Sequence, residues 1–89
     1  MVEKDFTIVN KEGLHARPAA MFVKISNRFR SEIWVSKDDE NANGKSIMAI
    51  MLLAAEHGSV IHISAEGEDE MEALASLGAL VDSGFRMDP

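Results

Sequence analysis

Residues 13–20 read GLHARPAA and set His15 two positions before Arg17, between a glycine and a proline. Imidazole is nucleophilic near neutral pH because much of it is unprotonated there. Arg17 adds a permanent cation whose planar fork matches phosphate oxygens. If a helix starts here, its first backbone N–H groups lack intrahelical acceptors and form an anion site. Gly13 can take backbone angles that other residues avoid, and Pro18 stiffens the helix entry without costing a hydrogen bond. Such a histidine could accept a phosphoryl group and have the product held electrostatically. A surface histidine that merely precedes a helix would have the same local sequence, so the residues alone leave both readings open. A self-sufficient phosphohydrolase fits less well: no acid is expected to orient His15, and so small a chain has little room for a deep pocket.

Other chemistry is harder to build. His15, His57 and His62 are not spaced from one another or from carboxylates in a metal-ligand pattern, so no metal and no cofactor is expected. NANGKS at 41–46 contains the GKS that closes a phosphate-binding loop, but Asp39 occupies the place of the required first glycine. Ser46 is left as a helix N-cap.

The chain has 89 residues, enough for one domain over 1–89, and an ordinary apolar fraction of 46%. Without cysteine, disulfides, thiolate metal sites and thiol nucleophiles are excluded. The longest apolar stretch, 47–55, is about half a membrane crossing, and MVEKDFTIVN is too charged for a signal peptide. A soluble, cytoplasmic protein with no membrane insertion is expected. The net charge of -6 argues against nucleic-acid binding. That charge is uneven: residues 1–30 hold six Lys or Arg against three acids, residues 31–89 three against twelve. Anionic groups would be drawn to the half that holds His15.

The elements that must position these residues follow from periodicity. DFTIVN at 5–10 and VIHISAE at 60–66 alternate as half-buried strands do, and EIWVSK at 32–37 turns Ile33 and Val35 to one side, Trp34 to the other. NKEG at 10–13 is a turn, and DDENANG at 38–44 is polar and turn-forming, with room for a short third strand. A helix is predicted over 16–28, with Ala19, Phe22, Val23, Ser26 and Phe29 on one face and Met21 and Ile25 off it. A second helix runs from Ser46 to a stop at His57-Gly58. Asp69 caps a third, with Glu72 completing a capping box, an inner stripe of Met71, Leu74, Ala75, Gly78 and Val81, and a stop at Ser83-Gly84. The order β-α-β-β-α-β-α implies an α+β domain, an antiparallel sheet with helices on one face.

GLHARPAAMFVK around His15, GKSIM around Ser46 and ISAEGEDE at 63–70 resemble the phosphocarrier HPr family of the bacterial phosphotransferase system. The similarity runs nearly end to end. It implies an open-faced β-sandwich, a four-stranded antiparallel sheet covered on one face by three helices. It implies that His15 takes a phosphoryl group on Nδ1 from enzyme I, itself charged by phosphoenolpyruvate, and passes it to an enzyme IIA domain. Arg17 matches the arginine that steadies the group. Ser46 matches a serine that a dedicated kinase phosphorylates in many bacteria, with a matching phosphorylase in prospect, to shut the carrier down. Such a protein is a phosphoryl acceptor and donor rather than an enzyme with its own turnover, and a monomer is expected.

Partners docking around an exposed histidine need an apolar contact. Met21 and Ile25, with Ile47, Met48 and Met51 across the surface, are the expected contributors, methionine being adaptable to several partners. The ending ALASLGALVDSGF is similar to NPr, the carrier of the nitrogen-linked branch, whose output is regulatory, whereas GKSIM is similar to kinase-regulated HPr. The same resemblance allows a purely regulatory module acting through phospho-Ser46. Members built that way lack the active-site histidine, which is present here.

Overall fold

The computed structural model describes residues 1–86. Four strands, β1 (Val2–Thr7), β2 (Glu32–Lys37), β3 (Glu40–Asn43) and β4 (Val60–Glu66), alternate with helices α1 (Ala16–Ser26), α2 (Ile47–Leu52) and α3 (Glu70–Asp82) in the order β1-α1-β2-β3-α2-β4-α3. The strands form one antiparallel sheet in the order β1-β4-β2-β3, so the last strand in sequence lies between the first two. Residues alternate sides along each strand. Phe6, Ile33, Val35, Ala42, Ile61, Ile63 and Ala65 are buried toward the helices, while Trp34 and Val60 face outward, about half exposed. This is the expected α+β open-faced sandwich, and DDENANG contributes the short strand β3.

Element boundaries move where tertiary contacts override local pattern. β1 begins and ends three residues earlier than predicted because its partner β4 starts opposite Thr7, at Val60. Ile8 lies beyond the ladder yet stays buried, donating to Ser59 O (2.8 Å) and accepting from Gly58 N (2.8 Å). α1 stops at Ser26, and its end tightens through bonds from Arg28 N to Ile25 O and from Phe29 N to Ser26 O. α2 is only six residues long and does not reach His57. Ala54 turns into the left-handed region at φ 51, which reverses the chain and buries Ala55.

The start and the inner face of α3 also differ from expectation. Asp69 stands at the N-cap but makes no capping bond. Its carboxylate instead accepts from Arg30 N (2.9 Å), Ser31 N (3.0 Å) and the buried Ser31 hydroxyl (2.5 Å), tying α3 to the start of β2. These donors hold Asp69 below the usual carboxylate range, the Ser31 hydroxyl most strongly. Glu70, not Glu72, reaches back, accepting from Gly67 N at 3.2 Å. The buried stripe is Ala73, Leu77, Gly78, Leu80 and Val81, while Met71 and Ala75 are exposed and Leu74 is half-buried. A helix reading EMEALASLGALVD is apolar on most sides, so its periodicity does not define one face. Packing decides instead: a Cβ on Gly78 would strike the Phe6 ring, so glycine lets α3 close onto β1.

On the outer sheet face, His62 of β4 lies opposite Asp5 of β1. Its Nδ1 lies 2.6 Å from Asp5 Oδ1 and its Nε2 2.6 Å from Glu3 Oε1, so the protonated ring can donate to both. Asp5 and then Glu3 raise its pKa above the ordinary 6.5. A group with a raised folded pKa stabilises the fold fully below its unfolded pKa and loses that contribution as pH rises through the folded value. The melting temperature is therefore expected to fall as pH rises above the ordinary histidine value of 6.5 and His62 deprotonates, and the fall should be smaller in His62→Gln. Equal slopes in the two proteins, measured by thermal denaturation, would refute this role for His62.

Candidate functional site

The site begins with a turn fastened at both ends. Gly13 N donates to Asn10 O (3.2 Å), and the largely buried Asn10 side chain returns a bond to Gly13 O (2.9 Å). Gly13 takes φ +65, and a Cβ there would overlap the carbonyl oxygen of Ala55. That close approach lets Leu14 N donate to the same oxygen at 2.9 Å while the Leu14 side chain enters the core. One residue on, the chain leaves the core. His15 is the N-cap of α1, extended at φ -77 and ψ -168, and exposed. Its carbonyl accepts from Ala19 N (2.9 Å), while its ring makes no capping bond and is left available.

Pro18, buried in the first turn, supplies φ without needing an acceptor. The N–H groups of Ala16 and Arg17 are first-turn orphans of the kind that favour anions. The exposed His15 ring and the first-turn N–H groups thus meet at one helix start.

Arg17 is exposed and already engaged. Nη2 donates to Glu12 Oε1 at 2.5 Å, and Nη1 donates to Met21 Sδ (3.1 Å) and to the Phe85 carbonyl (3.3 Å). Phe85 is buried at φ 60 just past α3, so the C-terminal turn is brought over α1. Glu12 is held below the usual carboxylate range, first by its own backbone N–H and then by Arg17. Glu12 is the acid near this site, and its carboxylate goes to Arg17 and not to the imidazole. Glu12 and Phe85 escape sequence reading because neither lies on α1, which begins at Ala16. A positive-φ turn brings in one, and the packing of a distant helix the other.

Ser46 is the N-cap of α2, half-buried, its hydroxyl accepting from Ala49 N at 3.2 Å as predicted. Across α2, Ile47 (42%), Met48 (72%) and Met51 (40%) are exposed, and so is Leu52 (72%), which the sequence reading missed. Ile25 is corrected: it is buried and cannot offer a contact. α1 packs against both α2 and α3, so its apolar stripe is wider than one face and takes in Ile25. Met21 is half-buried, packed on the core with its sulfur turned to Arg17.

Among the described residues, no three His, Asp or Glu side chains gather in a way that could hold a metal ion, and no helix is long and apolar enough to cross a membrane. A cleft of about 390 Å³ lies between β1 and α3, lined by Phe6, Met71 and Gly78 and not by His15. His15 itself stands exposed, away from that cleft.

Residues 2–83 match the family model described as the PTS HPr component phosphorylation site. The chain is 45% identical over 85 residues to the phosphocarrier protein HPr of Neisseria meningitidis, covering 96% of each. It is 47% identical over 81 residues to the HPr-like protein Crh of Bacillus subtilis, covering 91% of this chain and 95% of that one. The crystal structure of HPr-C-His from Thermoanaerobacter tengcongensis matches it with a TM-score of 0.94 at 49% identity over the whole of both chains.

Gly13 is where sequence and site geometry are most tightly bound. Gly13→Ala is expected to destabilise the protein by about 2 kcal/mol or more, from left-handed strain plus the clash with Ala55. Thermal denaturation with amide exchange at Leu14 checks this, and an unchanged melting temperature with Leu14 still protected would count against it.

Proposed function

The chain belongs to the HPr family of the phosphotransferase system, and on that premise we propose that it carries a phosphoryl group on His15 between phospho-enzyme I and an enzyme IIA domain. The observation that carries this reading is the exposed His15 ring at the start of α1, uncapped and beside the guanidinium of Arg17 in sequence. The neutral imidazole attacks phosphorus through the Nδ1 lone pair while Nε2 keeps its proton. The donor's bond to phosphorus breaks, its electron pair stays with enzyme I, and the group moves as PO₃⁻ with no change of total charge. The N–H groups of Ala16 and Arg17, with the Arg17 guanidinium, stabilise the added charge. Discharge to enzyme IIA is the same step in reverse, so the group must be held only moderately. Uniform strong binding would trap it.

Both partners would dock on the exposed apolar side chains of α2, Ile47, Met48, Met51 and Leu52, with half-buried Met21 at the edge. Flexible methionine side chains suit a surface shared by partners of different shape. Phosphorylation of Ser46 by a kinase would put about two negative charges beside that surface. Because Ser46 already caps α2, extra negative charge there is locally favourable to the helix. Inhibition would then come from the charge that docking must desolvate, with α2 intact. The same carrier chemistry serves a sugar-linked or a nitrogen-linked branch, and the acceptor IIA domain decides which.

Incubation with enzyme I and labelled phosphoenolpyruvate is expected to label the protein in an acid-labile, alkali-stable form, with no label in His15→Ala. Failure of the wild type to accept label from enzyme I would sink the carrier reading. For Ser46→Asp, amide protection across 47–53 is expected to persist while acceptance from enzyme I slows. Loss of that protection would show that charge at Ser46 acts by unfolding α2.

A further inference from the structure

Arg17 offers two terminal nitrogens, and in the bare protein both are occupied. Two of its three partners are uncharged: the Met21 thioether, a weak acceptor, and the Phe85 carbonyl. Glu12 is the only charged partner on this guanidinium among the described residues. Its carboxylate is not on a wandering loop. The turn that carries it is closed by the two bonds between Asn10 and Gly13 and held down by Leu14 on Ala55. The pair itself is open to solvent, with 60% of the Arg17 side chain and 38% of the Glu12 side chain exposed. An ion pair so exposed is weak and reversible.

We propose that Glu12 is a positioning residue for the transfer: its carboxylate holds the Arg17 guanidinium while His15 is bare and competes with the phosphoryl group for it once His15 is charged. This rests on the reading of His15 as phosphoryl acceptor and Arg17 as its counter-cation. A phosphoryl group carries more negative charge than a carboxylate and offers three acceptor oxygens, so it takes at least part of the fork. Glu12 then loses its partner and stands as a like charge near the new anion. Both consequences act in one direction. They stabilise the bare carrier relative to the charged one and raise the tendency of phosphohistidine to give up its group. Glu12 thus limits how tightly Arg17 can clamp the phosphate and leaves the guanidinium parked in a defined place when the site empties.

A plain surface ion pair that stiffens the 10–13 turn would instead change stability and leave the transfer equilibrium alone. The two roles separate in the equilibrium constant for phosphoryl exchange between phospho-enzyme I and the full chain. That constant is to be measured for wild type, Glu12→Gln, Arg17→Ala and the double variant, with melting temperature as a check on folding. Glu12→Gln is expected to raise the constant about two- to fivefold, the scale of an exposed charge pair, and to have no such effect when Arg17 is already alanine. An unchanged constant in Glu12→Gln, or an equal rise without Arg17, overturns the competition. Failure of wild type to accept the group at all overturns the carrier reading itself, an outcome distinct from an accepted group that is insensitive to Glu12.

Discussion

The Ala55 carbonyl is where the two halves of the site are joined. It accepts from Leu14 N, and it lies so close to Gly13 that no side chain fits between them. Ala55 comes into reach because α2 stops after six residues and the chain reverses at Ala54. Leu14 is thereby sunk into the core, and the residue after it is forced outward at the start of a helix. The exposure of His15 is thus a consequence of burial on either side of it, by Leu14 before and by Pro18 and Ala19 after. A helix start held so firmly presents its orphan N–H groups in a fixed direction, at no cost in ordering when an anion arrives.

The sheet below makes that arrangement possible by burying one face only. Because β4 lies beside β1, α3 packs across both strands, and α1 packs against α3. The turn at Ser83–Phe85 is then carried far enough to give Arg17 a backbone carbonyl. Asp69 serves the same end from the other side, joining the start of α3 to Arg30 and Ser31 instead of capping its own helix. A helix end left without a side-chain cap is tolerated because the carboxylate satisfies three donors elsewhere, one of them a buried hydroxyl.

What could be read in the sequence was what depends on short range. His15 and Ser46 stand at helix starts, as residue type and spacing suggested, and alternation placed β2 and β4 to the residue. The turn at Gly13 was legible for the same reason, since its neighbours in sequence are also its hydrogen-bond partners. What escaped depends on packing between distant segments. Ile25 looked like surface because a single face was assumed for a helix that meets two others. Gly78 and Val81 of the predicted α3 stripe are buried, but Met71 and Ala75 were misassigned because nearly every side of that helix is apolar. Asp69 was read as a cap because its spacing fits one, although Ser31, far away in sequence, offers it a buried donor. Glu12 was missed since its partner lies five residues on, across a turn whose φ inverts direction.

Burial and exposure divide the labour between stability and transfer. Groups that fix the place of His15, namely Leu14, Pro18, Ala19 and the Gly13–Ala55 approach, are buried, and disturbing them costs packing energy. Groups that would set the strength with which a phosphoryl group is held, Arg17 and Glu12, are exposed, and each of their contacts is small on the scale of folding. A carrier has to be charged and emptied against partners of similar transfer tendency, so its useful range of affinity spans little more than an order of magnitude, about 1.4 kcal/mol. Exposed pairs screened by water deliver energies of that size, and buried ones overshoot it. The parts proposed to tune the chemistry are therefore the ones that the fold can best tolerate losing.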